Sequence, residues 1–495
     1  MENKSRFFKV LILSFGQTLT SVSSIVAGMV AARVLSKADY ATFRQTFLAY
    51  KFIAPLLLLG LPNALYYFLP RETKNKFSTV LTSLILIFIL ASIFSLFLYS
   101  GGYKLLAKRF NNNELETTLK WMIGYPLYVM PVSILGAVLL SQNRSNALVS
   151  YNIFTSSTLS LLTILALIIT KSYSGPLLVQ IFLPLIFLPI ALWLYRKYVP
   201  GKFVLPTFNA MGNMLKYSIP IGLASMISLI MLETNKVVVS FMCTPEEFAN
   251  YVNGAVEIPL IGIVTGSISS IILVDMTKMI KEGNKEDAIK LFKVAATRSA
   301  SILFPVMVFL LCTGKAFIIT LFSEKYIESV VPFYIYLFVL PIRIVIYGSA
   351  LMALGFTKTI LFRSIFDLII NTILSIIFVF YFGYLGAAIA TIITLYLWTV
   401  PYNLLKIAQG FGIKTLSVLP FKNLFRLLLV CLVFSPFAFA HNFLIDGFWL
   451  LRLIVSGLLY FPFVVLFLVK FNFLVLPDFI LQKFPRKLKT LFIRL

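Results

Sequence analysis

Long apolar stretches recur along the chain, and polar residues are largely confined to the short gaps between them. A helix needs roughly 20 apolar residues to cross a bilayer core about 30 Å thick. Stretches of this kind predict membrane-spanning helices near 9–33, 45–69, 78–100, 118–141, 147–170, 175–195, 215–241, 251–274, 299–321, 329–352, 361–383, 384–405, 427–440 and 448–470. Only helices and closed barrels satisfy their backbone hydrogen bonds in lipid, and these stretches lack the alternation of a barrel strand. The pattern therefore predicts an all-α integral membrane protein with about fourteen transmembrane helices.

The lysines and arginines are concentrated in every second gap between the apolar stretches. Examples are the segments 71–76, 196–202, 278–293 and 483–489. Because basic loops stay on the cytoplasmic side of a membrane, we predict that these segments and both chain termini are cytoplasmic. The net charge of +25 then faces anionic membrane lipids. No basic stripe is interleaved with aromatic residues on a soluble domain, so a nucleic-acid partner is not expected.

The composition argues against metal chemistry and catalysis. Hydrophobic residues make up 60% of the chain and charged residues 12%, and the mean hydropathy is +0.95. Cys243, Cys312 and Cys431 are scattered and His441 is the only histidine, so neither a metal site nor a cofactor is predicted. The longest basic gap, 275–298, is predicted to be an amphipathic helix on the membrane surface. No gap offers a sizeable extramembrane loop, and we do not expect an enzyme.

Two similar segments follow the first and the seventh predicted spans. Ser36 begins the first segment and Thr244 begins the second, 208 positions later, and in each an acidic residue follows three places after the hydroxyl residue. This is the pattern of a capping box at the start of a helix. Six spans per repeat is an even number, so the two halves would have the same orientation. We predict a six-helix lobe at 1–208, a second at 209–416, and two further helices with a basic cytoplasmic tail at 417–495.

Several short segments near the N-terminus resemble a known family. Small polar residues interrupt the first apolar stretch at Gln17, Thr18, Ser21 and Ser24. Further along come Ala31-Ala32-Arg33-Val34-Leu35-Ser36, Pro55, and Gly60-Leu61-Pro62 ahead of Tyr66, Tyr67, Phe68 and Arg71. This arrangement resembles the Wzx-type flippases of polysaccharide biosynthesis, which belong to the multidrug/oligosaccharidyl-lipid/polysaccharide exporter superfamily.

The resemblance implies a transporter of the bacterial cytoplasmic membrane. In that family two six-helix lobes surround a cavity that opens alternately to each side of the membrane. The substrate is an oligosaccharide linked to a polyprenyl pyrophosphate, which moves from the inner to the outer leaflet. Fourteen spans fit these flippases better than the twelve that are usual in the drug exporters of the superfamily.

A lipid diphosphate carries negative charge and needs a cationic path, because a charge at the bilayer centre is costly. Arg44 and Lys51 are two helical turns apart and share one face of the second predicted span. We predict that they line this path together with Arg33, Lys236 and Arg343. The alternatives stay open: Lys51 snorkels toward the membrane surface with Arg44 at the interface, and Arg33 complements the dipole at the end of its helix.

Three acidic residues within predicted spans are candidates for binding a coupling ion, H⁺ or Na⁺. They are Glu233, Glu257 and Asp367. Glu233 lies three residues before Lys236, and Asp367 four residues after Arg363, so each also has a neighbour that can neutralise it. Structural ion pairs are therefore the alternative for both.

The sequence leaves three functions open. The first is a flippase for a lipid-linked anionic glycan that works by alternating access. The second is a cation-coupled drug or metabolite antiporter of the same superfamily, with a deep acid such as Glu233 as its coupling site. The third, a membrane enzyme of glycan assembly, lacks the large loop that it would need.

Overall fold

The computed structural model describes residues 19–73, 75–256, 258–439 and 448–473. Every regular element within these residues is a helix, so the predicted all-α class is confirmed. The predictions made for the two chain termini, for the start of the first span, for Glu257 and for His441 fall outside the described residues.

Eight described helices are long and apolar enough to cross a membrane. They are Lys37–Arg71, Lys76–Arg109, Ser145–Thr170, Ser174–Tyr198, Lys285–Phe322, Lys358–Phe382, Leu385–Phe411 and Trp449–Lys470. A ninth span results if the helices Leu115–Trp121 and Tyr125–Ser141, which meet at 42°, are counted as one. The chain is thus a multi-pass membrane protein, and the number fourteen stays a prediction.

The chain divides into two compact units, of which the first comprises Met1–Tyr251 and Val379–Ala387. Its helices are α1 (Leu19–Val34), α2 (Lys37–Leu58), α3 (Leu61–Arg71), α4 (Lys76–Phe97), α5 (Tyr103–Arg109), α6 (Leu115–Trp121), α7 (Tyr125–Val129), α8 (Leu135–Ser141), α9 (Ser145–Thr170), α10 (Ser174–Tyr198), α11 (Phe208–Met242) and most of α12 (Pro245–Gly254). Its apolar core is built mainly from α3, α4, α8 and α10, with buried residues such as Leu65, Ile87 and Val138.

The second unit comprises Val252–Phe378 and Ala388–Leu495. Its helices are α13 (Pro259–Lys281), α14 (Lys285–Phe322), α15 (Val330–Leu337), α16 (Tyr347–Ala353), most of α17 (Thr357–Phe382), part of α18 (Leu385–Ile393), α19 (Val400–Phe411), α20 (Phe421–Val433), α21 (Ser435–Phe439) and α22 (Trp449–Lys470). In this unit α14 packs against α13, α20 and α22. The predicted lobes at 1–208 and 209–416 stay a prediction.

Leu59 and Gly60 divide the second predicted span into two helices. Both residues have left-handed backbone conformations, with φ of 47° and 71°. Pro62 lies in the first turn of α3, where its missing N–H leaves no helical hydrogen bond unmade. A Cβ atom at Gly60 would lie 2.5 Å from the Cα atom of Gly222 in α11. The pair of glycines therefore lets α11 pack closely against this joint.

Both predicted capping boxes form helix starts. At Thr244 the box is reciprocal: the backbone N–H of Thr244 donates to Glu247 Oε2 at 2.9 Å, and the N–H of Glu247 donates to Thr244 Oγ1 at 3.3 Å. At Ser36 the hydroxyl oxygen accepts from the backbone N–H of Asp39 at 3.0 Å. The repeated segment therefore marks equivalent helix starts after the first and the seventh predicted spans.

The gap 275–298 is not the separate surface helix that we predicted. α13 continues to Lys281, a turn follows with Gly283 at φ 82°, and the rest of the segment forms the first turns of α14. Its apolar residues, among them Ala288 and Phe292, are buried against protein. An amphipathic pattern shows that one helix face is covered but does not distinguish protein from lipid as the covering.

Candidate functional site

Two helices of the first unit bring four charged side chains together. α2 packs against α11, with Arg44 and Lys51 on α2 and Glu233 and Lys236 on α11. Lys51 interacts electrostatically with each of the other three residues. We call these four residues the charge cluster. It joins three of the five predicted substrate-binding cations to one of the predicted ion-coupling acids.

Glu233 and Lys236 form an ion pair within one turn of α11. Lys236 Nζ lies 3.0 Å from Glu233 Oε2, and the two side chains are 28% and 17% exposed. The predicted i,i+3 pairing is thus present in the structure. It neutralises one cation of the cluster and leaves the two cations of α2.

Lys51 is exposed in spite of its position in a long apolar helix. Protein atoms surround it in most directions, yet its side chain is open to water-sized molecules. Among the described residues neither Lys51 nor Arg44 forms an ion pair, and Arg44 contacts the ring of Tyr40 at 5.9 Å. Lys51 is therefore accessible on one side and forms no ion pair within the described part of the chain.

The charge cluster carries three positive groups and one negative group, which leaves two positive charges in excess. Positive charge inside a membrane protein is costly unless water, an acid or a bound anion accompanies it. The cluster is accordingly suited to hold an anion with two negative charges, such as a diphosphate. The planar guanidinium of arginine can donate bidentate hydrogen bonds to two phosphate oxygens, and lysine contributes a compact ammonium on a flexible chain.

A buried polar network next to Arg44 connects α2 to α11. Gln45 Nε2 donates to Ser240 Oγ at 2.7 Å, and Asn112 Nδ2 donates to Gln45 Oε1 at 2.8 Å and to Thr42 Oγ1 at 2.9 Å. All four side chains are buried. The network fixes how α2 is rotated against α11, and so it fixes the direction of the neighbouring cation face.

The patterns in the sequence did not predict this network. Its signal was present as polar residues at Thr42, Gln45 and Thr46, spaced three and four positions apart at the start of an apolar span. The partner Ser240 lies 195 positions from Gln45. Spacing on one helix shows a polar face, but it does not show which distant residue that face meets.

The remaining predicted cations lie elsewhere. Arg33 is near the end of α1 with an exposed side chain, and it is not among the groups that interact with Lys51. Arg343, in the second unit, is exposed in a series of turns between α15 and α16. The helix is interrupted there because Pro341 cannot donate a backbone hydrogen bond and clashes with the preceding turn. Arg343 therefore does not sit in the middle of a continuous span.

A second polar group surrounds Asp367 in the second unit. Asp367 is 3% exposed, its Oδ2 lies 3.3 Å from Arg363 Nε, and its Oδ1 accepts from Thr399 Oγ1 at 2.9 Å. Arg363 Nη1 also donates to Asn403 Oδ1 at 3.3 Å. One turn further along α17, Asn371 is buried, and neither of its amide atoms has a hydrogen-bond partner within the described chain. The predicted i,i+4 pairing of Arg363 and Asp367 is thus present.

The fold and the charge cluster define a helical membrane protein with a cationic site where α2 packs against α11. A sequence match to the family of polysaccharide biosynthesis proteins extends over residues 8–274, more than half of the chain. The chain belongs to this family, as its N-terminal segments predicted. A search of curated proteins for similar sequences found no match.

Solved structures share the fold. A structure titled lipid II flippase MurJ, inward closed conformation, is 17% identical with a TM-score of 0.70 over 93% of this chain and 100% of that one. An inward-facing multidrug resistance MATE family transporter of the MOP superfamily is 15% identical, with a TM-score of 0.56 over 81% and 97%. A MOP superfamily transporter from Pyrococcus furiosus, titled for the reverse polarity of its binding pocket, is 16% identical, with a TM-score of 0.54 over 81% and 92%.

Proposed function

We propose that this protein is a flippase that moves an oligosaccharide linked to a polyprenyl pyrophosphate from the inner to the outer leaflet of a bacterial cytoplasmic membrane, for surface polysaccharide assembly. The observation that carries the proposal is the charge cluster, in which the exposed Lys51 and the half-buried Arg44 add to a neutralised pair on α11. Family membership and the shared fold of a lipid flippase support it.

In this function the cluster binds the diphosphate of the lipid carrier. Arg44 and Lys51 lie about 10 Å apart in depth, two helical turns at 1.5 Å per residue. A phosphate can therefore be passed along one helix face from one cation to the other. We also assign Arg33 and Arg343 to the substrate path as exposed cations, and we place both chain termini on the cytoplasmic side.

We assign ion coupling to the acids in the same scheme. Asp367 is the favoured site, because it is buried among polar groups that include the unpartnered amide of Asn371. Glu233 and Glu257 are further candidates. An H⁺ or Na⁺ that neutralises such an acid would change its attraction to the adjacent arginine or lysine and so could drive a change of conformation.

The test is export of the glycan by charge variants in cells that contain equal amounts of each protein. Removing one phosphate contact from an exposed cation costs about 1.4 kcal/mol, or roughly tenfold. We expect Arg44→Gln and Lys51→Gln each to lower export about that much and to accumulate lipid-linked precursor. Arg44→Lys should retain only part of the wild-type export, because lysine cannot donate two hydrogen bonds to a phosphate as the guanidinium does.

Lys104→Gln is the matched control. Lys104 lies on α5 of the same unit, is exposed, and is outside the charge cluster. The Lys104→Gln variant loses the same single positive charge and should export the glycan normally. Normal export by the combined Arg44→Gln, Lys51→Gln, Arg343→Gln protein would show that these cations do not carry the substrate.

The second candidate is a cation-coupled drug or metabolite antiporter, which the buried Asp367 group favours. Glu233→Gln separates an antiporter coupled through Glu233 from a flippase whose coupling acid is Asp367. An antiporter coupled through Glu233 would lose transport, whereas a diphosphate site would gain a free Lys236 and keep or increase its substrate affinity. Loss of transport in this variant, with wild-type amounts of protein in the membrane, would favour the antiporter.

A further inference from the structure

A cavity of about 610 Å³ opens in the second unit between α14, α20 and the end of α22. This volume is within the range of small-molecule sites. Its lining combines an apolar wall with five polar side chains, two of them arginines: Val294, Thr297, Arg298, Asn423, Arg426, Leu429, Val430, Phe471, Asn472 and Phe473. No lining residue is acidic.

The two arginines are not used elsewhere in the described structure. Neither the Arg298 nor the Arg426 guanidinium has a hydrogen bond, ion pair or ring contact within the described residues, and both residues are exposed. Two guanidinium groups that line one cavity repel each other unless an anion lies between them. The cavity therefore presents an uncompensated double positive charge.

The cavity lies at the level where three apolar runs end. Arg298 immediately precedes the apolar part of α14, Arg426 lies near the start of the apolar run of α20, and Asn472 follows the end of α22. The same ends of these helices carry Lys285 and Lys470. Because basic residues are in excess here, we take this level as the lipid-headgroup region of the cytoplasmic surface.

We infer that this cavity binds an anionic phospholipid of the cytoplasmic leaflet. The phosphate accepts from Arg298 and Arg426, the amides of Asn423 and Asn472 bind the polar end of the headgroup, and the acyl chains extend along the apolar wall. Basic pockets between membrane helices on the cytoplasmic side bind lipid headgroups in this way. The inference concerns a phospholipid of the membrane and does not depend on the proposed substrate.

The test is native mass spectrometry of the full-length protein in non-ionic detergent, titrated with phosphatidylglycerol or with phosphatidylcholine. We expect the wild-type protein to bind phosphatidylglycerol more tightly. Each arginine near a lipid headgroup contributes about fivefold to the affinity for an anionic lipid. Arg298→Gln combined with Arg426→Gln should therefore weaken phosphatidylglycerol binding about 25-fold. Phosphatidylcholine binding should change much less, because its choline cation offsets the charge of its phosphate. The Lys substitutions at both positions keep the charge and should retain most of the preference.

Lys278→Gln with Lys290→Gln is the matched control. Both lysines are exposed at the same end of α13 and α14, outside the cavity, and the pair removes the same charge. An equal loss of phosphatidylglycerol affinity in this control would mean that any positive charge on this surface attracts the lipid, and it would overturn the proposed site. So would equal binding of the two lipids by the wild-type protein. Displacement of phosphatidylglycerol by inorganic phosphate would assign the cavity to a free anion, and preferential binding of a polyprenyl diphosphate would assign it to the transported lipid.

Discussion

The polar network at Gln45 gives the most direct test of how the charge cluster is positioned. Gln45 Nε2 donates to Ser240 Oγ at 2.7 Å, and Gln45 Oε1 accepts from Asn112 at 2.8 Å. A third bond, to the carbonyl of Phe110, is 3.4 Å long and weak. Gln45→Leu keeps the approximate volume and removes all three bonds, which leaves the buried partners short of a hydrogen bond.

The expected cost follows from the two short bonds. Interhelical hydrogen bonds in membrane proteins average about 0.6 kcal/mol and reach about 1.7. Two of them give roughly 1 to 3 kcal/mol in the free energy of unfolding. A buried partner left unsatisfied adds to this value, while water that enters at the end of α2 reduces it. We therefore expect a loss of about 2 kcal/mol.

The assay is reversible unfolding of the purified protein in mixed micelles with increasing denaturing detergent. Ser240→Ala in the Gln45→Leu background should cost less than it does alone, because the two side chains share one bond. Gln142→Leu is the matched control, since the Nε2 atom of Gln142 is buried without a hydrogen-bond partner in the described structure. That variant should be nearly neutral.

Transport supplies a second measurement. If Gln45 orients the cation face of α2 and the proposed function holds, the leucine variant should export less glycan although all four charges of the cluster remain. A Gln45→Leu protein that unfolds like Gln142→Leu would refute the stabilising role of the network. Wild-type export at equal protein amounts would refute its positioning role.

Two further predictions concern the ends and joints of helices. Gly60→Ala should cost roughly 3 kcal/mol in unfolding free energy, because its Cβ would overlap backbone atoms of α11 at a φ of +71°; Gly28→Ala, where a Cβ meets no atom, should be tolerated. Hydrogen bonds from Asn284 and Lys290 lower the pKa of the exposed Asp287 carboxyl, so its stabilisation is present above the unfolded-state pKa and disappears as pH falls through the lowered one. Asp287→Asn should lower the unfolding temperature at pH 7, and a pH series should show the difference vanish in acid.

Local patterns predicted the elements and pairs that depend on neighbours in sequence. The capping box at Thr244, the ion pair of Glu233 with Lys236, and the pair of Arg363 with Asp367 all involve residues three or four positions apart. Helical geometry alone brings such residues together, whatever the rest of the chain does. The break at Pro341 was not predicted, since the apolar stretch 329–352 indicated one continuous span, although proline interrupts a helix by its own covalent structure.

Contacts between helices could not be predicted in this way. The sequence placed Arg44 with Lys51 on one face but gave no reason to bring that face to Glu233 on α11, and it did not pair Gln45 with Ser240. These contacts depend on how α2 is rotated when it packs against α11, and close packing at Gly60 determines how near the helices come. The amphipathic start of α14 was misassigned for a related reason: burial by protein and by lipid require the same apolar face.

The ion pair within the charge cluster bears on how a flippase can release what it binds. If Glu233 did not neutralise Lys236, three cations of the cluster would attract a diphosphate, and each added cation would increase the binding affinity. With the pair intact, two excess charges face the anion. Two unit charges 4 Å apart attract by about 4 kcal/mol at an effective dielectric constant near 20, and by about 1 kcal/mol in water. Access of water to the exposed Lys51 therefore changes this attraction energy about fourfold. In the proposed function, a site that excludes water when closed and admits it when open would bind the diphosphate during transport and release it afterwards.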